Sequence, residues 1–292
     1  MSVATEPLYL RPTSLEEAVA ALAEHPGARP VAGGTDLMIQ LRLGVGTAPS
    51  AVVDTADVLE LHGVDPTPDG GLRIGAATPL RTLLGSPATA RYPALAQACR
   101  LLGGPQIQAM ASLGGNLANG SPAAETATPL LVHDAEVEVA GPGGRRTVAL
   151  TDLWLGPRRT AVSADELIVA VTLPAPTSGT TSAYHRLELR RSVDIAVVSA
   201  SVRLTLDAAG TVADARVAIG AAAPTPRRVP EAEALLVGAT PRAAATAAGA
   251  AAREAASPID DTRAGAAYRA AMVAEVTERA VHACTDDSRE DT

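Results

Sequence analysis

Two glycine pairs set the tightest limits on what this chain can become. The stretch Ala111-Ser112-Leu113-Gly114-Gly115-Asn116-Leu117-Ala118-Asn119-Gly120-Ser121-Pro122 puts adjacent glycines where a backbone can take positive φ and let its N–H groups converge. Asn116, Asn119 and Ser121 add short side chains of the kind that bond nearby groups in turns. Successive N–H groups in such a nest suit the negative oxygens of a pyrophosphate, and Ser121-Pro122 reads as an N-cap followed by a first-turn proline. A plain tight turn would use the same residues. What favours a ligand is the second pair. Val31-Ala32-Gly33-Gly34-Thr35-Asp36 ends an apolar run and passes directly into Leu37-Met38-Ile39-Gln40-Leu41-Arg42-Leu43, a further loop offering free N–H groups at a helix start. Two such loops predict one ligand with two phosphates.

The order of elements places both loops at strand ends. Leu8–Leu10 reads as a strand, and Ser14 with Glu17 three residues on forms a capping box that opens a helix over 15–25. Arg29–Ala32 and Ala51–Asp54 read as strands flanking a short helix over 37–43, which makes a β-α-β unit. Its glycines do not follow the G-x-G-x-x-G spacing of a Rossmann fold, and that fold is set aside. A second unit starts near Asp57, with a helical turn over 59–64, a strand over 71–76, helices over 80–84 and 92–102, and a short apolar helix opened by Thr128-Pro129. A hairpin of 136–140 and 145–149 turns at Gly141-Pro142-Gly143-Gly144, and 167–173 is a closing strand. After the Pro-rich linker 174–179 the pattern changes. Val198, Ala200, Val202, Leu204 and Leu206 alternate with Ser199, Ser201, Arg203 and Thr205, the period-two mark of a half-buried strand. With 213–219 and 184–189 this predicts a small antiparallel sheet, followed by Ala-rich helices over 241–256 and 264–283.

Composition narrows the chemistry. The 292 residues suffice for two domains, aromatic residues make up 2% with no Phe, and the cores are therefore aliphatic. All cations are Arg, which reflects codon usage and not function. A net charge of −8 without a basic stripe argues against a nucleic-acid surface. No apolar run approaches the length of a membrane span, and the start of the chain lacks the basic and apolar regions of an export signal, so a cytoplasmic location is expected. Cys99 and Cys284 stand far apart, which excludes a Cys-only zinc or iron–sulfur site within the chain. The histidines show no metal-ligand spacing. Redox chemistry here requires an organic cofactor.

In combination, Ala32-Gly33-Gly34-Thr35-Asp36-Leu37, Ser112-Leu113-Gly114-Gly115-Asn116-Leu117, Ser121-Pro122-Ala123-Ala124-Glu125 and Arg190-Arg191-Ser192-Val193-Asp194-Ile195-Ala196 resemble the FAD-binding medium subunit of the molybdenum hydroxylases. This is the family of xanthine dehydrogenase and aerobic carbon-monoxide dehydrogenase. The resemblance runs from about Pro7 to about Gly238. It implies an α+β fold: a two-part FAD-binding domain of the vanillyl-alcohol oxidase (PCMH) type over 1–176, with subdomains of about 1–56 and 57–176. A three-stranded antiparallel sheet with helices follows over 177–285, and then a mobile tail over 286–292.

The resemblance also implies roles. Residues 32 to 36 and 112 to 116 would hold the FAD pyrophosphate, and Leu37 closes the first motif. Asn116, Asn119 and Ser121 would lie along the ribityl and phosphate path. Glu125 stands where the family usually has Asp, near the ribityl chain. Asp194 and Arg186 would approach the isoalloxazine ring, Arg186 where a Lys is common, with its charge favouring the reduced flavin. Tyr184 or Leu189 would shield a ring face. No residue is expected to act catalytically on the organic substrate. The implied partners are a molybdopterin-binding large subunit and a [2Fe-2S] small subunit, in a dimer of heterotrimers. Iron–sulfur centres would feed FAD, which would deliver electrons to NAD, dioxygen or a quinone. Two other readings compete. A stand-alone flavoprotein oxidase of the vanillyl-alcohol type often tethers FAD through His or Cys, and the glycine loops contain neither. A scaffold that has lost its flavin has no need of intact glycine pairs.

Overall fold

A computed structural model describes residues 6–190 and 193–285. The tail 286–292, and Arg191 and Ser192 of the fourth motif, lie outside the described residues.

The first unit is a parallel sheet of Leu8–Leu10, Ala51–Asp54 and Arg29–Val31, with Ala51–Asp54 in the middle. Its helix, Leu15–Glu24, begins as the sequence predicts. Ser14 Oγ accepts the Glu17 N–H at 3.1 Å, while the Glu17 carboxylate reaches back to the Thr13 N–H at 2.7 Å. Leu15, Ala18 and Leu22 seat this helix on Ala51 and Val53.

The second unit is an antiparallel sheet of five strands in the order Val64–Pro66, Leu72–Gly75, Leu167–Leu173, Glu136–Gly141 and Gly144–Ala149. The closing strand Leu167–Leu173 lies at its centre. Leu167 and Val169 enter the core of the first unit, whereas Ile168, Val171 and Leu173 enter a core formed with the helices Leu80–Gly85, Pro93–Leu101 and Ala127–Val132. Burial on both faces explains why this strand is an unbroken apolar run. Val64–Pro66 replaces the end of the predicted helical turn, of which only Leu59–Leu61 is helical.

Beyond the linker, Thr180–Leu187, Val198–Leu206 and Val212–Gly220 form the expected antiparallel sheet, joined at its edge by the two-residue strand Arg227–Arg228. Helices Pro230–Leu236, Pro241–Ala255 and Ala266–Ala283 pack on the face that carries Val198, Ala200, Val202 and Leu204. The alternation correctly gives a strand but misplaces its polar side. Ser199 and Ser201 are buried, because that face docks onto the helices of the second unit. Small hydroxyls allow the close approach and satisfy one another there. Ser201 Oγ donates to Thr128 Oγ1 at 2.9 Å, Ser182 Oγ accepts the Ala94 N–H and lies 3.1 Å from His133 Nε2, and the Tyr184 N–H meets Gln97 Oε1 at 2.7 Å. This docking closes one side of the cleft described next.

Candidate functional site

The first glycine loop keeps its donors free. Val31 ends an edge strand, Gly34 turns the chain at φ +65°, and the helix Leu37–Arg42 follows. Among the described residues, no N–H from Gly33 to Asp36 donates a hydrogen bond. The absence of a side chain at Gly33 has a steric cause: a Cβ there would lie 1.6 Å from the Met110 carbonyl oxygen. The loop is thus pressed against the end of the helix Pro105–Met110, an element the sequence does not predict. Asp36 does not cap its helix. Its carboxylate takes the Gln40 side-chain amide, which also points to Asn119 Oδ1 at 3.4 Å and ties the first loop to the second motif.

The second motif differs from the expected nest. Ser112 caps a six-residue helix, Leu113–Ala118, its Oγ accepting the Gly115 N–H at 3.2 Å. The other donors are spent as well: Leu113 on Thr78 O, Gly114 on Ala76 O and Asn116 on Ser112 O. Neither Gly114 nor Gly115 takes positive φ; Gly120 does, at +62°. Gly114 is instead a packing glycine, since a Cβ would lie 2.5 Å from Ala76 Cβ. A serine three residues before a glycine suits a cap as well as a nest, and contact with the Leu72–Gly75 strand end decides for the cap. Ser121 begins no helix. Its Oγ accepts the Ala123 N–H in a turn, and Asn116 Oδ1 braces that turn through the Thr126 N–H and hydroxyl at 3.3 and 2.7 Å.

Glu125 follows in the same segment and is buried, 6% exposed. Arg186 Nη1 lies 2.7 Å from Glu125 Oε1, Tyr184 donates its hydroxyl to Oε2, and Arg186 Nη2 pairs with Glu188. Burial pushes the Glu125 carboxyl above its ordinary range, and Arg186 and Tyr184 offset this only in part. Burial and the neighbouring Glu125 hold the Tyr184 hydroxyl well above the usual phenol value, so it stays a donor. Arg186 does not line the cleft, and its charge is divided between two carboxylates rather than presented to a ligand. The Asp194 carboxylate is likewise engaged: it accepts the N–H groups of Leu189, Arg190 and Ile195 at 2.9, 3.2 and 2.9 Å. Burial raises its pKa, but these donors outweigh the effect and hold it below the ordinary value. Asp194 therefore shapes a loop in which Val193 takes φ +48°. Tyr184 sits behind Glu125, and Leu189 is exposed away from the cleft.

These segments enclose one cleft of about 1190 Å³, somewhat above the ~300–1,000 Å³ typical of small-molecule sites. Ala32 to Leu37, Ser112, Gly115, Asn116, Asn119, Ser121, Glu125 and Asp194 all line it, whereas Leu113, Gly114 and Arg186 stand behind the lining. The sequence reading did not find Arg29 and Arg158, two lining cations that have no ion pair among the described residues. Nor did it find Arg269, which is buried, paired with Asp261 and bonded to Ala221 O at 3.3 Å. No local pattern marks these arginines, since they reach the cleft only through sheet and domain packing.

Comparison with known proteins identifies the family. Residues 2–176 match the family model described as the FAD binding domain in molybdopterin dehydrogenase, and residues 182–284 match the CO dehydrogenase flavoprotein C-terminal domain. The chain is 37% identical over 227 residues to a xanthine dehydrogenase FAD-binding subunit of Escherichia coli O157:H7, covering 77% of each. It is 35% identical over 277 residues to the carbon monoxide dehydrogenase medium chain of Afipia carboxidovorans, covering 94% of each. The crystal structure of a cyanide-inactivated Cu,Mo-CO dehydrogenase superposes with a TM-score of 0.91 at 33% identity, covering 97% of this chain and 98% of that one. With a cleft built from both glycine motifs and both matched segments, the chain belongs to the FAD-binding medium subunits of the molybdenum hydroxylases, a family of oxidoreductase flavoproteins.

Proposed function

We propose that this chain binds FAD in the cleft and carries electrons from iron–sulfur centres of a partner to NAD, dioxygen or a quinone. The observation that carries the reading is the row of unspent N–H donors from Gly33 to Asp36, in a loop that lines the cleft and packs on Met110 through Gly33. Such a row fits a pyrophosphate, and a side chain at Gly33 would push the loop off the Met110 backbone and displace it. The helix Leu113–Ala118 supports the loop through Asn119 and Gln40 and contributes side chains, not free backbone donors. Arg29 and Arg158 supply positive charge at the lining. Ser121, Asn116 and Glu125 lie along the wall toward the second domain, and Asp194 orders the loop on that side.

When bound, FAD supplies the redox chemistry, taking electrons singly and releasing them in pairs. The protein orients the cofactor, screens it from water and sets the charge around it. Residues 1–176 form the FAD-binding domain in this reading, with subdomains of about 1–56 and 57–176, and 177–285 form the C-terminal domain. The partners are a molybdopterin-binding large subunit and a [2Fe-2S] small subunit, in a dimer of heterotrimers located in the cytoplasm. No helix among the described residues is long and apolar enough to cross a membrane.

The test is a visible absorption spectrum of the chain purified alone and after co-expression with its neighbouring genes. Flavin bands in the first preparation, joined by iron–sulfur absorbance and two co-purifying proteins in the second, are expected. Flavin without partners would favour a self-sufficient oxidase, and no flavin in either preparation refutes the reading.

A further inference from the structure

Between the cleft and the C-terminal sheet, charge does not balance. One guanidinium, Arg186, serves two carboxylates, Glu125 at 2.7 Å and Glu188. The Arg186 side chain is 3% exposed and that of Glu125 7%, against 23% for Glu188, so water reaches the Glu188 carboxylate but does little to screen that of Glu125. Of the three groups only Glu125 lines the cleft.

The surroundings of Glu125 can be counted from each packed element. The strand Thr180–Leu187 contributes Tyr184 and Arg186, with Glu188 just past its end. The segment 193–197 contributes the Ala196 N–H, and Asp194, whose carboxylate is held by three backbone donors of its own loop. The strand Val198–Leu206 contributes Ser199, which bonds Tyr184. On the cleft side, Asn116 is occupied with Thr126. Among the described residues, Arg186 is the cation that pairs with Glu125.

We propose that Glu125 is a proton-holding carboxylate of the cofactor cleft, taking up one proton when negative charge is added there and releasing it when that charge leaves. The inference rests on the reading of the cleft as a flavin site. Two-electron reduction of a bound flavin adds negative charge to the cavity, and like charges sharing a buried site raise the proton affinity of the group that can still titrate. Tyr184 remains a donor throughout, and Arg186 remains charged, because burial works against that charge but Glu125, Tyr184 and Glu188 outweigh it. Asp194 is held ionised by its backbone donors. Of the two carboxylates on Arg186, Glu125 lines the cleft and Glu188 does not, which leaves Glu125 as the group that responds. The balance is two electrons from the reductant and one proton from solvent onto a Glu125 carboxylate oxygen, in addition to whatever proton the flavin itself takes.

The test is spectroelectrochemistry on the FAD-loaded full chain between about pH 5 and pH 9, with proton uptake followed by an indicator dye. One additional proton per two electrons changes the reduction equilibrium tenfold per pH unit, about 30 mV for a two-electron couple. The wild-type chain is expected to show this added slope over the range in which Glu125 titrates, with up to one more proton taken up per flavin than in Glu125→Gln. Equal slopes and equal proton counts in the two proteins overturn the proposal.

Glu188→Gln is the second variant, because it leaves the folded core and the cleft lining intact. With Arg186 then serving Glu125 alone, the range of added slope is expected to move to lower pH. An unmoved range also overturns the proposal. If the wild-type chain takes up no FAD, the cofactor reading itself fails. FAD uptake without the added slope removes only the role of Glu125.

Discussion

Replacing Gly33 with alanine tests how the cleft is built. The added Cβ would sit 1.6 Å from the Met110 carbonyl oxygen and 2.3 Å from its carbon. Both are backbone atoms, so no rotamer change relieves the overlap. Ordinary contact begins near 3.4 Å, so the loop and the end of the helix Pro105–Met110 must separate by about 1.8 Å. A hydrogen bond of about 2.9 Å stretched by that amount is lost. Hydrogen bonds to charged groups contribute about 1.5–3 kcal/mol each. Losing two of the donors between Gly33 and Asp36 then weakens FAD binding by a factor on the order of 10²–10⁴.

The cost to the fold is smaller. The loop borders the cleft and lies outside the main aliphatic cores, so overpacking of about 1–3 kcal/mol is the expected loss of stability. Fluorescence titration of the apo-protein with FAD measures the first quantity, and urea unfolding without FAD measures the second. Gly85→Ala is the control: nothing lies within 4 Å of its Cβ position, and a change within about 1 kcal/mol is expected. A folded Gly33→Ala protein that binds FAD within about tenfold of wild type would refute the placement of the pyrophosphate on this loop.

Two further expectations separate packing from binding. Gly114→Ala drives a Cβ to 2.5 Å from Ala76 Cβ; overpacking should outweigh the gain in helix propensity and lower stability by about 1–3 kcal/mol even without cofactor, with partial recovery in the Ala76→Gly background, and unchanged urea midpoints would contradict it. His133, buried between Tyr92 and Ser182, has its pKa pushed down to about 3 by burial and by Arg203. The unfolded imidazole protonates near about pH 6.5, so the unfolded state binds more protons and stability falls as pH drops from about 6.5 toward 3, by up to about 1.4 kcal/mol per pH unit. Urea melts at a series of pH values should show this slope reduced in His133→Gln, and equal slopes would remove His133 as its source.

The sequence by itself determined the elements whose signals are local. The capping box at Ser14 and Glu17, the hairpin around Gly141–Gly144 and the period-two strand Val198–Leu206 each contain their cause within a few residues, and each forms, the strand with its serine side buried rather than exposed. The cleft was legible in that residues of both glycine motifs line it, although only the first keeps the free donors that the sequence predicts.

Tertiary structure decided which requirement each glycine answers. Gly33 is fixed by a helix end over seventy residues away, and Gly114 by a strand neighbour at Ala76, so the same dipeptide gives an open row of donors in one place and a capped helix in the other. It also decided where charge is spent. Arg186 looks like a free ligand along the chain, yet Glu125 claims it once the domains dock, while Asp194 is claimed within its own loop by the N–H groups of Leu189, Arg190 and Ile195. Arg29 and Arg158 carry no local mark and become cleft residues only through packing. Burial, partner and cavity are relations between distant segments, and a sequence pattern contains only half of each.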